Sequence, residues 1–133
     1  MLYAMLAMVV LIYAVGIFTA YVRISSIRQK KIKARYFKLM QGDDVPEIIT
    51  KTTRQFNNLF EVPVLFFVAG VLYLIMKIES TAGLGFAWAF VIARVLQAYI
   101  HLGYNNPLHR MLAFNAGNIC VIALWIVVAI NAG

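Results

Sequence analysis

Four apolar stretches, each long enough to cross a bilayer, lie in a chain of 133 residues. Residues 2–22, LYAMLAMVVLIYAVGIFTAYV, carry no charged side chain. At about 1.5 Å per residue such a run crosses a hydrocarbon core of roughly 30 Å. The others fall at about 57–76, 84–104 and 111–130. A signal peptide is a poor reading of the first run, which has no basic leader and is too long. With 63% hydrophobic and 13% charged residues, a soluble domain of this size has too little interior to hide its apolar surface. The expected fold class is therefore all-α: a transmembrane four-helix bundle, one domain over residues 1–133.

Charge sets the expected orientation. Of the 12 basic residues, nine lie between Arg23 and Arg54. Beside membrane spans such a cluster reads as positive-inside topology rather than as a nucleic-acid site. The 23–56 segment is then a cytoplasmic basic loop, and four spans place both termini on the opposite side. The stretch RISSIRQKKIKARYFKLMQG reads as an interfacial helix meeting anionic headgroups, with a solvated loop as the plainer alternative. In GDDVPEII, Asp44 suits a helix N-cap, with Pro46 in the first turn and Glu47 three residues on. That helix is expected to run from Val45 to Lys77 and to project beyond the bilayer. Cys120 is alone, so no disulfide and no cysteine metal site is expected. No His-rich spacing points to any other metal.

The polar residues inside the spans converge on one leaflet. Arg23 ends the first span, and Arg110 opens the fourth at the same face. Arg54, Asn58 and Glu61 are spaced by four and three, so one helix face carries all three. Arg94, Gln97, His101 and Tyr104, spaced three, four and three, share a second face. Two polar stripes at one depth are expected to point at each other or at a common cavity. A lone charge at mid-span costs on the order of 3 kcal/mol, so Glu61 and Arg94 need partners. Pairing with each other is the plainest solution. It leaves a surplus of cations, which points to an anionic ligand entering from the cytoplasm. Pro63 lacks an N–H and frees the Leu59 carbonyl, which predicts a kink. Asn115 and Asn118 read as interhelical hydrogen-bonding groups, and His109 as a solvated or headgroup-facing side chain.

Taken in order, these motifs resemble the MAPEG family, the membrane-associated proteins of eicosanoid and glutathione metabolism. Arg54, Asn58 and Glu61 are similar to the family's R-x3-N-x2-E pattern on its second helix. Arg94, His101, Gly103 and Arg110 are similar to its third-helix pattern, and Val22-Arg23 to its first-helix exit. NLFEVPVLFF and HLGYNNPLHR look like a bacterial branch, which implies the inner membrane with both termini periplasmic. The resemblance further implies a homotrimer with sites between subunits, and glutathione as co-substrate. Arg23 would hold a glutathione carboxylate, and Asn58 and Glu61 the γ-glutamyl end. Arg110 would stabilise the thiolate, because a nearby cation lowers a thiol pKa. Arg54, Arg94, Gln97, His101 and Tyr104 would complete the pocket. His101 stands where many glutathione-active members have Tyr, Asn57 where some have Arg, and Met111 where one has Ser. The implied activity is glutathione transfer to, or reduction of, hydrophobic electrophiles reaching the site from the bilayer. The family also contains a non-catalytic lipid binder, so lipid or partner binding in the same cleft is the alternative.

Overall fold

Apolar runs in a bilayer become helices because only internal hydrogen bonds satisfy the backbone there. The computed structural model describes residues 1–40 and 45–132. It contains α1 (Leu2–Arg28), α2 (Tyr36–Leu39), α3 (Glu47–Asn58), α4 (Val62–Ile75), α5 (Thr81–Leu102) and α6 (Pro107–Ile130), with no strand among the described residues. Four spans are long and apolar enough to cross a membrane: α1, α3 joined to α4, α5 and α6. The expected all-α four-helix bundle is thus the observed one.

The second span departs from the continuous helix expected over Val45–Lys77. It is interrupted at Leu59–Glu61, where the backbone of Glu61 turns to φ −90°, ψ −90°. Pro63 is the physical cause. Its ring crowds the Leu59 carbonyl and offers it no N–H. The chain responds with tightened i→i+3 bonds, Leu59 N–H to the Phe56 carbonyl (3.1 Å) and Phe60 N–H to the Asn57 carbonyl (2.9 Å). Asp44, the expected N-cap, lies outside the described residues; Pro46 occupies the cap position of α3. The basic connection after α1 forms a single helical turn, α2, rather than an extended interfacial helix.

The core lies between α1, α4, α5 and α6. Met8, Phe66, Phe90 and Leu124 are fully buried there, and the Phe66 and Phe90 rings stack at 4.7 Å. Large apolar side chains such as Val10, Ile75, Ile119 and Ile130 face outward along every span, as a lipid solvent permits. The α4–α5 turn is clasped by Tyr73, whose hydroxyl donates to the Ser80 carbonyl (2.7 Å) and accepts from the Ser80 N–H (3.0 Å). At the other end of the bundle, α5 stops at Gly103. A Cβ there would lie 2.8 Å from the Tyr99 carbonyl oxygen, so only glycine permits the exit. Asn106 then caps α6, accepting from the N–H groups of Leu108 (2.9 Å) and His109 (3.2 Å) ahead of Pro107 in the first turn.

Candidate functional site

The inner face of α5 is polar over its last two turns. Arg94, Gln97 and His101 are all buried, with Arg94 fully so. Arg94 donates to the Gln97 side-chain carbonyl through Nη1. Its guanidinium carbon lies 5.4 Å from the Phe90 ring centre and 5.1 Å from that of Phe114, a cation held between two aromatic faces. Nε and Nη2 of Arg94 are buried without a partner among the described residues. The plainer alternative, a direct Arg94–Glu61 pair, is not formed; Lys51–Glu47 is the ion pair found among the described residues. Arg94 is instead held by a neutral amide and two rings.

Arg110 reaches across from α6 to the same end. Its Nη1 donates to the Asn105 side-chain carbonyl (3.0 Å) and contacts His101 Nε2 (3.3 Å). A guanidinium can only donate, so His101 accepts at Nε2 and carries its proton on Nδ1. That Nδ1 is buried and has no partner among the described residues. Beside this group lies a recess of about 220 Å³, lined by Asn58, Gln97, Pro107, Arg110, Met111 and Phe114. Only Nη1 of Arg110 is engaged among the described residues. The recess therefore presents a cation fixed at one nitrogen and free at the others, with two amide side chains alongside. Such a set suits a carboxylate or a thiolate.

A family model described as the MAPEG family matches residues 1–130. The chain belongs to the MAPEG family. No curated protein and no solved structure matches it. Membership agrees with the four spans, and together they make this an integral membrane protein.

Within one MAPEG chain the motif residues are divided. Asn58, Gln97 and Arg110 line the recess, and His101 and Arg94 lie behind it. Arg23 lies elsewhere, lining a groove between α1 and α3, with Nη2 bonded to the Thr53 hydroxyl (3.1 Å). Arg54 and Glu61 are exposed on the outer side of the second span. Tyr104 is exposed and bonds His109 Nδ1 (2.9 Å) instead of joining His101, because α5 ends two residues before it. The inward stripe of α3 is Ile49, Thr52 and Gln55, continued by Leu59. Gln55 escaped the sequence reading. It is fully buried, and neither polar atom of its side-chain amide has a partner among the described residues. The available signal was the spacing of three and four from Thr52 to Gln55 to Leu59, but none of the three is charged.

Proposed function

We propose that this MAPEG protein is a glutathione-dependent transferase or peroxidase acting on hydrophobic electrophiles. The observation that carries the reading is Arg110, held at Nη1 and facing a recess with Asn58 and Gln97. A thiol placed beside that guanidinium ionises more readily, and the thiolate is the nucleophile. In transfer, the sulfur forms a bond to an electrophilic carbon, and the leaving group departs with its electron pair. Residues 112, 119 and 122 of α6 present Leu112, Ile119 and Ile122 outward, an apolar flank by which a membrane-dissolved substrate approaches.

The single-chain recess is half a site in this reading. Its volume of about 220 Å³ falls below the roughly 300–1,000 Å³ usual for small-molecule pockets. Arg23, the proposed carboxylate holder, is not in it. The remainder would come from a neighbouring copy in a homotrimer. Two further features favour a protein cover. The helical rise from Glu61 to Met76 is about 22 Å, which leaves Glu61 roughly 8 Å inside a 30 Å core. Glu61 is nevertheless outward-facing, and so is Asn115 on α6. A charge facing lipid costs on the order of 3 kcal/mol at the bilayer centre and part of that at this depth, a cost that a neighbour's cation or a ligand ammonium removes.

By the positive-inside rule the basic end is cytoplasmic, in a bacterial inner membrane, with both termini periplasmic. The test is saturable glutathione binding in detergent, with thiolate absorbance near 240 nm that Arg110→Ala abolishes (an approximate position for a thiolate band). Absence of binding at millimolar-order glutathione would instead favour a non-catalytic lipid or partner binder that uses the same cleft.

A further inference from the structure

The guanidiniums of α5 and α6 are held in the same way. Arg94 donates through Nη1 to the side-chain carbonyl of Gln97. Arg110 donates through Nη1 to the side-chain carbonyl of Asn105 (3.0 Å). Neither acceptor carries a charge, and no Asp or Glu occurs between Ser80 and Gly133. An amide oxygen fixes the direction of a guanidinium and leaves its charge in place. A carboxylate would fix it as well, and would cancel the charge. The difference matters most at Arg110, because that guanidinium lines the recess.

Asn105 is placed for this by its backbone. It lies in the turn between α5 and α6 with φ 52°, a left-handed conformation that Asn adopts at less cost than most residues with a Cβ. Its N–H closes the turn on the Ile100 carbonyl (2.8 Å). Its half-buried side chain meets Nη1 of Arg110, five residues further on. The same Nη1 contacts His101 Nε2 (3.3 Å), which as an acceptor is also neutral. One nitrogen of Arg110 is thus taken by two uncharged groups from the end of α5 and the turn behind it. The titratable groups around this contact are His101, Tyr104 and His109, of which the last two bond each other. Asn105 does not line the recess itself.

We infer that Asn105 is a positioning residue for the proposed thiol chemistry: it fixes Arg110 at the recess and, being neutral, leaves the whole cationic charge for the sulfur. The inference rests on the glutathione reading and adds to it a residue outside the recess. The step concerned is ionisation of the bound thiol. The S–H bond breaks, the sulfur keeps the electron pair, and the proton passes to water. A guanidinium already held in place stabilises the thiolate without having to reorganise. A carboxylate at position 105 would hold the same nitrogen and oppose the same step.

The experiment follows the thiolate band of bound glutathione against pH in the full chain in detergent, for the unaltered protein, Asn105→Asp and Asn105→Gly. Aspartate tolerates the left-handed backbone and offers the same acceptor oxygen, so it keeps the turn and the grip on Arg110. It should still raise the midpoint of thiol ionisation by about one pH unit or more, the effect of one nearby charge. Glycine keeps the backbone and removes the acceptor. Conjugation should then fall by about tenfold, the effect of losing one hydrogen bond to a charged group. A merely structural Asn105 predicts that aspartate behaves as the unaltered chain does. An unmoved midpoint in Asn105→Asp therefore overturns the inference. Should one variant not fold, the other decides: full conjugation by Asn105→Gly overturns it equally.

Nitrogen NMR of the Arg110 side chain separates this inference from the reading beneath it. A held guanidinium gives distinct Nη signals in the unaltered chain and in Asn105→Asp, and Asn105→Gly merges them. Distinct signals in an unaltered chain that shows no bound thiolate support the positioning role and overturn the glutathione reading alone. Merged signals in the unaltered chain overturn the positioning role, whatever glutathione does.

Discussion

Two stripes of polar residues with nearly the same spacing meet opposite fates in this bundle. Arg94, Gln97 and His101 on α5 face inward and are buried. Arg54 and Glu61 of the second span face outward, with Asn58 half-buried between them. Periodicity states which side chains share a face, not which face is the inside. In water the more polar face would turn to solvent. In a bilayer neither choice is free of cost, so packing decides. On α3 the uncharged set Ile49, Thr52 and Gln55, continued by Leu59 just past its end, packs inward, and the charged set is left facing out. The inward stripe must find its partners within the chain. The outward stripe must find them beyond it.

Arg110 joins these two worlds and gives the largest expected effect. It is fixed to the α5 stripe through His101 and opens on the recess beside Asn58. Arg110→Ala should lower single-turnover thiolate formation or conjugation by about 10²–10³-fold, the usual loss for one preorganised charge-stabilising donor. Stability should change far less. Full activity in Arg110→Ala would remove the link between the recess and any thiol chemistry.

Gln97→Leu tests whether the inward stripe is self-sufficient. Gln97 supplies the hydrogen bond to Arg94 found within the chain. Leucine there leaves a fully buried guanidinium unpaired, which should cost about 1–3 kcal/mol in detergent unfolding. Gln97→Glu, by supplying a counter-ion, should recover at least part of that loss. A Gln97→Leu chain that unfolds at the wild-type midpoint would mean that Arg94 is held by its aromatic neighbours alone.

The sequence carried the fold further than it carried the site. Four apolar runs, the Pro63 kink and the Asn106–Pro107 helix start follow from hydropathy, a missing N–H and capping chemistry, each a local property. The membership signalled by Arg54, Asn58, Glu61, Arg94, His101 and Arg110 was legible as well. What stayed hidden depends on rotation and termination. A break of three residues at Leu59–Glu61 removes Glu61 from the helix that carries Arg54, so the four-and-three spacing no longer fixes its direction. Tyr104 left its stripe because α5 ends at Leu102. Gln55 was invisible because an uncharged amide in a moderately polar segment raises no alarm until its burial is known.

Tyr73→Phe is the control at the far end of the bundle, remote from both stripes. It removes one donor and one acceptor at Ser80 and should cost about 0.5–1.5 kcal/mol. Glutathione binding should be untouched. Its loss on removing this hydroxyl would show that the two ends are coupled, and that the stripes do not act locally.

Glu61→Gln gives the smallest expected change in the fold of a single chain. No hydrogen bond or ion pair engages its carboxylate among the described residues, and it is exposed. The isolated protomer should therefore unfold within about 0.5 kcal/mol of wild type, as surface substitutions commonly do. Its consequence should appear elsewhere, because in the proposed homotrimer an outward charge at that depth takes its partner from another molecule. Stabilisation by a second copy follows mass action and rises with protein concentration, whereas an internal contact does not. The wild-type midpoint should then climb with concentration, and Glu61→Gln should flatten that slope while leaving the dilute limit in place. Gln97→Leu should do the reverse, lowering the midpoint equally at every concentration. If both variants shift the midpoint in parallel, the carboxylate of Glu61 is an internal group after all, and the two stripes share one environment.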